Sequence, residues 1–496
     1  MIAALLGYLG YLVMATSFLH SCHLFITSRG LPKSWPLIGM TPAMLLNFHR
    51  LLDRVTEILE KSKGTFLYRG FWFTNTDFLA TSDPQNVRYI MNTNCSTYLK
   101  GSEWRNQFDI FGDALFNSDS DAWKQKRNLF HGFLNHRQFH ELVNGIIPSQ
   151  IEKGLIPILE HVAEQGLLVN FQELFMRQSF DLATTIVYGY NPKSLSIGFP
   201  EVPLCKAIGD AMEAAYFRYI LPKRLWELQR WLQIGREKKL RDAWKVFDYT
   251  FAEYISMQIQ QLNHGDNREY QSFNFLKYLT REEVTNKLLR DYGANMILAF
   301  EDTNSTVLTW FFWILSKNPM AEMKIEEELT RNLLVEGGDL QILKEINKLV
   351  YLHAALCETL RFFPPVPYEF RTPTRSDTLP SGHCVNEKTR ILVCAYAMGR
   401  MTSVWGEDCH EFKPERWITG QGKIKREPPS KFFAFMSGPR MCMGKDLAFT
   451  FMKATAASII LNYKVEVIPG HNVSPRPSVL LHMKHGVMAR IKSRRV

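Results

Sequence analysis

The residues best placed to do chemistry lie near the C-terminal end, in the stretch FFAFMSGPRMCMGKDLAF, residues 432–449. Its spacing is Phe435-x-x-Gly438-x-Arg440-x-Cys442-x-Gly444, followed by an apolar run with helical periodicity. A cysteine just ahead of a helix start sits where backbone N–H groups and the positive end of the helix dipole favour a thiolate. Gly438 and Gly444 let the backbone turn tightly and approach a flat ligand. Arg440 is spaced to grip a carboxylate, and a haem propionate is one that fits. A thiolate on haem iron is the ligation that favours O–O bond cleavage. A lone cysteine is ordinarily a buried structural residue. Four further residues at fixed spacing argue against that fate for Cys442.

Three more patterns stand elsewhere in the chain. Glu358 and Arg361, in ETLR, are three residues apart on one helix face. Taken alone they are an ordinary ion pair worth under about 1 kcal/mol. FKPERW, residues 412–417, carries Arg416, and Trp123 with Arg127 makes an i,i+4 pair. These four motifs, each where the family's order along the chain would put it, resemble the cytochrome P-450 superfamily of haem-thiolate monooxygenases, and the similarity runs through essentially the whole chain. The resemblance implies haem as cofactor, with Cys442 as the axial thiolate ligand of its iron. It implies that Glu358, Arg361 and Arg416 close into one buried network behind the haem. Trp123 and Arg127 match a propionate contact, and Arg371, downstream of Arg361, matches a further propionate-binding position.

The stretch MILAFEDTNSTVLTWFFWILSKNP, residues 296–319, reads as part of a long central helix. In the family this helix carries a small residue, a glycine, any residue, an acid and a threonine, usually followed by a second hydroxyl. Here Ala299-Phe300-Glu301-Asp302-Thr303-Asn304 occupies those places. Asp302 and Thr303 match and are the candidate catalytic residues. A threonine hydroxyl competes with the backbone ladder, so it is expected to open the helix and hold water there. The neighbouring acid relays protons as a general acid. Phe300 stands where glycine is usual, and Asn304 replaces the second hydroxyl. Ala299 and Thr303 share a face, while Phe300 is turned about 100° from Ala299. A benzyl group there would narrow the pocket, shift the substrate or reshape the helix.

Positioning these groups requires a helical scaffold, and helical periodicity recurs at 172–188, 225–262, 281–316, 321–334, 352–362 and 444–463. Strand-like pieces are short, as in GTFLYRGFWF and TRILVCAY. The predicted fold is mainly α with small β-sheets, a cytochrome P-450-like single large domain with an N-terminal membrane anchor helix. Residues 109–117 (DIFGDALFN) are expected in the pocket roof, 364–370 (PPVPYEF) in its wall, and 263–272 in an exposed loop. Apolar residues are 46% and charged ones 22% of 496, ordinary for a globular chain, which excludes disorder or a multi-span membrane protein. Residues 1–28 hold no Lys, Arg, Asp or Glu, and at about 1.5 Å per residue they are long enough to cross a bilayer. No basic region precedes them as in a cleaved signal, and Arg29 and Lys33 follow, placing the remainder in the cytoplasm. The expected organisation is an anchor at 1–28, a proline-containing linker at 29–36 and a catalytic domain at 37–496. That domain would be held single-pass at the endoplasmic reticulum membrane. Eight cysteines without a CxxC pair fit a reducing compartment and no disulfide framework.

Longer runs, such as KLVYLHAALCETLRFFPPVP and EPPSKFFAFMSGPR, resemble one plant branch of the family. That branch contains midchain-alkane hydroxylases of cuticular wax synthesis and enzymes that couple phenols in alkaloid synthesis. The resemblance implies O2-dependent hydroxylation of a very-long-chain alkane or, alternatively, oxidative coupling of a phenolic alkaloid precursor. An alkane needs a long apolar channel and a phenol an aromatic pocket with polar anchors; the composition fits either. A haem isomerase or carrier that does not activate oxygen is the alternative of another class, and the acid–threonine pair argues against it. The chain carries no dinucleotide or flavin fingerprint, so electrons must come from outside. The resemblance names the source as NADPH through a membrane-bound cytochrome P-450 reductase. Lys124, Lys126 and Lys445 flank two of the motifs and are expected to form one basic docking surface for it. The net charge of +10 is scattered, without the basic stripe of a nucleic-acid binder. GPRMCMG is not the signature of a cysteine hydrolase.

Overall fold

The computed structural model describes residues 30–72, 76–263, 273–279, 285–333 and 340–494. The expected anchor at 1–28, Arg29 and most of the 263–272 loop lie outside them. Among the described residues no helix is long and apolar enough to cross a membrane. The secondary structure is mainly helical with three small sheets. The chain divides into two compact units, Met1–Tyr98 with Glu369–Cys409, and Leu99–Tyr368 with His410–Val496. Neither unit is continuous in sequence.

The first unit is organised by a five-stranded sheet in the order Thr65–Tyr68, Phe78–Thr81, Arg390–Cys394, Tyr368–Pro373, Tyr98–Leu99. Its central pair, Phe78–Thr81 with Arg390–Cys394, is parallel. Leu79, Ala80, Ile391, Leu392 and Val393 are all buried there, the continuous apolar run that parallel strands require. Both strand-like pieces of the sequence appear, trimmed to Thr65–Tyr68 and Arg390–Cys394. Asp377 accepts hydrogen bonds from Tyr98 Oη (2.8 Å), Tyr89 Oη (3.1 Å) and Asn94 Nδ2 (2.9 Å). Arg371, on the strand Tyr368–Pro373, is buried, pairs with Glu369 and donates to the Phe370 carbonyl at 2.5 Å.

The second unit is built on the central helix Asn286–Leu315, which packs on Phe171–Tyr188, Val350–Phe362 and Lys445–Asn462. Thr285 caps its start by accepting from the Leu288 N–H at 3.3 Å. The helix Phe171–Tyr188 starts at Asn170, whose side chain accepts from Gln172, and stops at Gly189 in the left-handed conformation. The single helix expected over 225–262 is instead two, Lys223–Leu232 and Gly235–Asn263. Gln233 breaks it at φ 55°, and Gly235 follows at φ 59°. The physical reason is convergence: the break brings Arg230 and Glu237 within 3.3 Å of each other, whereas a continuous helix would carry them two turns apart. The roof segment forms two short turns, Asp109–Phe111 and Leu115–Asn117. Asn295 ties them to the central helix by donating to Phe111 O (2.8 Å) and accepting from Phe116 N (3.1 Å). At Gly112, φ 56°, a side chain would overlap the Asp291 carboxylate, whose Oδ2 accepts from Asp113 N at 2.8 Å.

Candidate active site

Cys442 lies three residues before the helix Lys445–Asn462, where its N–H donates to Phe435 O at 2.8 Å. Gly438 takes φ 69°, the tight turn expected of it. Gly444 does not: its φ is −86°, and a methyl there would only touch Cys442 Sγ at an ordinary 4.0 Å. The thiol also departs from expectation. Burial pushes its pKa up, and the opposing pull of the Gly444 N–H, Arg127 and Lys445 does not overcome it. Helix-end stabilisation alone therefore leaves a protonated thiol, and a metal ion would have to displace that proton. Although burial dominates its titration, Cys442 is exposed. A side chain surrounded in this way but not covered lines an internal cavity.

Trp123, Arg127 and Arg440 gather around this loop. Arg127 Nη2 donates to Met441 O at 2.8 Å, and its guanidinium stands 5.5 Å from the Trp123 ring. Arg440 stands 4.6 Å from the same ring and donates to Asp119 Oδ1 (2.7 Å) and Ser118 O (2.9 Å). Asp119 already neutralises Arg440. Arg127 is different: it is half-buried, burial lowers its pKa, and among the described residues no carboxylate pairs with it. A thiol, an unneutralised guanidinium and an indole beside one cavity form a donor set that suits a flat, carboxylate-bearing metal macrocycle. Arg371 belongs to the first unit and is described with it.

The expected basic surface is not formed by all three lysines. Lys126 turns inward to the Asp113 carbonyl and to Ser118 Oγ at 2.7 Å, and burial lowers its pKa. Its ammonium serves the oxygens of the 113–118 segment. Lys124 pairs with Asp121 at 2.9 Å on the surface, and Lys445 lies 5.5 Å from the Phe435 ring.

Along the central helix, from residue 291 to 312, only Met296, Ala299, Phe300 and Thr303 are not buried. Their i, i+3, i+4, i+7 spacing puts them on one face. The Phe300 ring lies 5.3 Å from that of Phe451, on the helix that follows Cys442. Thr303 Oγ1 donates to Ala299 O at 2.6 Å and Asn304 Nδ2 to Phe300 O at 2.8 Å, yet the helix runs unbroken. Each carbonyl accepts a second donor without giving up the backbone ladder, so the expected opening is absent. Asp302 is off this face. It is 1% exposed, and its Oδ1 lies 3.3 Å from His482 Nε2. Asp302 and Thr303 are neighbours in sequence but point in different directions. Sequence reasoning missed His482 and the adjacent buried Glu301, and no local pattern signals either.

Glu358, Arg361 and Arg416 do come together. Glu358 accepts from Arg361 Nε and Nη2, both at 2.8 Å, from Arg416 Nε at 3.5 Å and from Lys413 N at 3.0 Å. Trp417 completes the set, its Nε1 donating to Glu358 Oε2 at 2.8 Å. Its place beside Arg416 in FKPERW was the available signal.

Comparison with known proteins extends the resemblance beyond the motifs. A family model described as Cytochrome P450 matches residues 30–489. The chain is 40% identical over 464 residues to alkane hydroxylase MAH1 of Arabidopsis thaliana, covering 92% of each. It is 39% identical over 475 residues to noroxomaritidine synthase of Narcissus aff. pseudonarcissus MK-2014, covering 94% of this chain and 92% of the other. Cytochrome P450 86B1 of Arabidopsis thaliana is 36% identical over 485 residues, 94% of this chain and 86% of its own length. With a family match over nearly all its length, the chain belongs to the cytochrome P450 family and is a haem-thiolate monooxygenase, an enzyme with cysteine-ligated iron that takes O2 and electrons from a redox partner.

Proposed function

We propose that this monooxygenase hydroxylates a very-long-chain alkane at a midchain carbon, giving a secondary alcohol and then a ketone. The observation that carries the reading is the accessible face of the central helix. Met296, Ala299 and Phe300 are apolar, and the Thr303 hydroxyl is already donated to Ala299 O. A phenol would find a single hydrogen-bond acceptor on that face, Thr303 Oγ1, and no donor; an alkane needs neither. The similarity to an alkane hydroxylase over 92% of the chain supports the same choice. Oxidative phenol coupling is the second reading, favoured by the half-buried Phe300 ring, which suits a flat aromatic substrate, and by the similarity to noroxomaritidine synthase.

In this reading Cys442 holds the haem iron, while Trp123, Arg127 and Arg440 hold and orient the propionates. When bound, the haem supplies the thiolate-ligated iron chemistry that splits O2. Thr303 and Asp302 hold and pass protons, and the apolar face around Thr303 excludes bulk water. Electrons come from NADPH through a cytochrome P-450 reductase. Residues 1–28 anchor the protein in the endoplasmic reticulum membrane, 29–36 link the anchor, and 37–496 form the cytoplasmic catalytic domain.

The test is to supply microsomes holding the full chain and the reductase with NADPH, isotopically heavy O2 and either substrate class. Labelled secondary alcohol from an alkane supports the first reading. An unlabelled coupled phenol with no alkane turnover overturns it. Thr303→Ala adds a second discrimination, since it should divert alkane hydroxylation into peroxide and affect phenol oxidation less.

A further inference from the structure

We propose that Glu301, Asp302 and His482 form a buried proton reservoir for the central helix, with His482 as the positioning residue that fixes Asp302. The proposal deepens the reading of Asp302 and Thr303 as proton-handling residues and rests on it. It adds two residues that neither the motifs nor that reading assigns.

All three side chains are nine-tenths or more buried: Glu301 is 0%, Asp302 1% and His482 8% exposed. Among the described residues, neither oxygen of Glu301, neither oxygen of Asp302, nor His482 Nε2 meets a hydrogen-bond partner at good geometry, although the Cys205 thiol lies beside Glu301. Five such atoms in one interior region are costly unless they share protons or water. His482 Nε2 and Asp302 Oδ1 stand 3.3 Å apart, close enough to pair once the imidazole is charged. The segment carrying His482 is fixed by several bonds. His482 O accepts from Arg476 N at 2.7 Å, Trp310 Nε1 donates to Leu481 O at 2.6 Å, and Leu481 N donates to Pro365 O at 2.9 Å. The imidazole is thus held against the central helix by backbone bonds on either side.

The other charged groups nearby are already committed. From Phe171–Tyr188, Arg177 is engaged by Glu173 (2.6 Å) and by the Ser194, Phe199 and Pro200 carbonyls. Asp181 accepts from Ser194 Oγ (2.6 Å), Ser194 N (3.0 Å) and Leu195 N (2.9 Å). From Pro203–Ile220, the Cys205 thiol lies beside Glu301 and is itself pushed up by burial. His482 is therefore the cation-forming group that reaches Asp302. Two adjacent buried carboxyls with one such partner do not both ionise. Asp302 is the carboxyl that faces the imidazole. Glu301 retains its proton, as burial first and the Asp302 charge second push its pKa well up. A neutral acid then lies on the turn that carries Thr303, on the side facing away from the cavity.

The experiment is infrared difference spectroscopy on the resting holoenzyme. The wild-type minus Glu301→Gln spectrum should contain the carbonyl stretch of a protonated carboxylic acid. His482→Phe, which removes the positioning imidazole, should gain a second such band, and the band should disappear when Asp302→Asn is added. His482→Gln keeps hydrogen-bonding capacity and similar volume, so it carries the same test if the phenylalanine variant fails to fold. A difference spectrum containing only ionised carboxylate, or His482 variants without the added band, overturns the proposal. The measurement needs neither substrate nor turnover, so its failure is separable from failure of the alkane reading, which is judged on product.

Discussion

Arg218 and Glu237 meet as a two-point pair, Nε to Oε1 at 2.6 Å and Nη2 to Oε2 at 2.7 Å, with side-chain exposures of 2% and 3%. Arg218 Nη1 also holds Asp109 Oδ1 at 2.8 Å, and Arg230 Nη2 holds Asp109 Oδ2 at 2.9 Å. Trp226 lies within about 5 Å of both guanidinium groups. Three helices and the roof turn at Asp109 are thereby joined through one buried pair. Arg218→Leu takes away the two-point partner of the buried Glu237 and leaves it only the 3.3 Å contact to half-exposed Arg230, a loss toward the lower end of about 3–5 kcal/mol. Arg230→Ala, at a half-exposed site, costs under about 1 kcal/mol. Denaturant titration should separate the two, and amide exchange across 109–117 should quicken only in the Arg218 variant. Equal effects from both would refute the arrangement.

Trp417 matters through Glu358. Trp417→Phe keeps the ring but removes a hydrogen bond to a buried carboxylate, which costs about 1.5–3 kcal/mol. Glu358→Leu strands Arg361 and should cost more, about 3–5 kcal/mol. Thermal unfolding of the holoenzyme checks the order. A phenylalanine variant as stable as wild type would show that the indole N–H contributes nothing.

Cys442 is the proposed iron ligand, and the expected signature is the red-shifted Soret band of the reduced, carbon-monoxide-treated protein. Cys442→Ala and Cys442→His should both lose it. A variant that retained that band would assign the thiolate elsewhere.

His353 carries a pH prediction. It stacks on Phe449 at 4.2 Å, and its pKa is pulled down to about 3, first by burial and then by the Lys453 and Lys445 charges. The unfolded chain takes up a proton at this residue below about pH 6.5, whereas the folded chain waits until about 3. Unfolding therefore binds a proton within that window. Stability falls as the pH drops through it and does not respond to His353 above it. His353→Phe preserves the stacking and removes the titration. Relative to this variant, wild type should lose about 1–2 kcal/mol by a pH of about 5. Parallel stability profiles down to pH 4 would rule the effect out.

Much of the site was readable because its contacts are local. Glu358 and Arg361 share a helix face by their i,i+3 spacing, and Arg127 lies one turn from Trp123. Cys442 sits just before a helix with a positive-φ glycine upstream of it. What escaped reading depends on distant chain. The group that Asp302 faces, His482, lies far downstream, while local sequence shows only that Thr303 is its neighbour. Lys126 looks like a surface lysine until the 113–118 oxygens are seen to take its ammonium. The break at Gln233 was hidden because apolar periodicity continues through it, and the Arg230–Glu237 contact it permits leaves no mark in apolar spacing. Gly444 resembles a conformational requirement in sequence, but its backbone is ordinary.

The face formed by Met296, Ala299, Phe300 and Thr303 also bears on how such an enzyme diversifies. Within residues 291–312 every other residue is buried, and large-to-small changes at its apolar positions cost stability. These four positions form a separate compartment in which substrate preference can change while the scaffold keeps its packing. A library confined to them should spread widely in product profile and narrowly in melting temperature; one built at Ile297, Leu298 and Val307 should do the reverse.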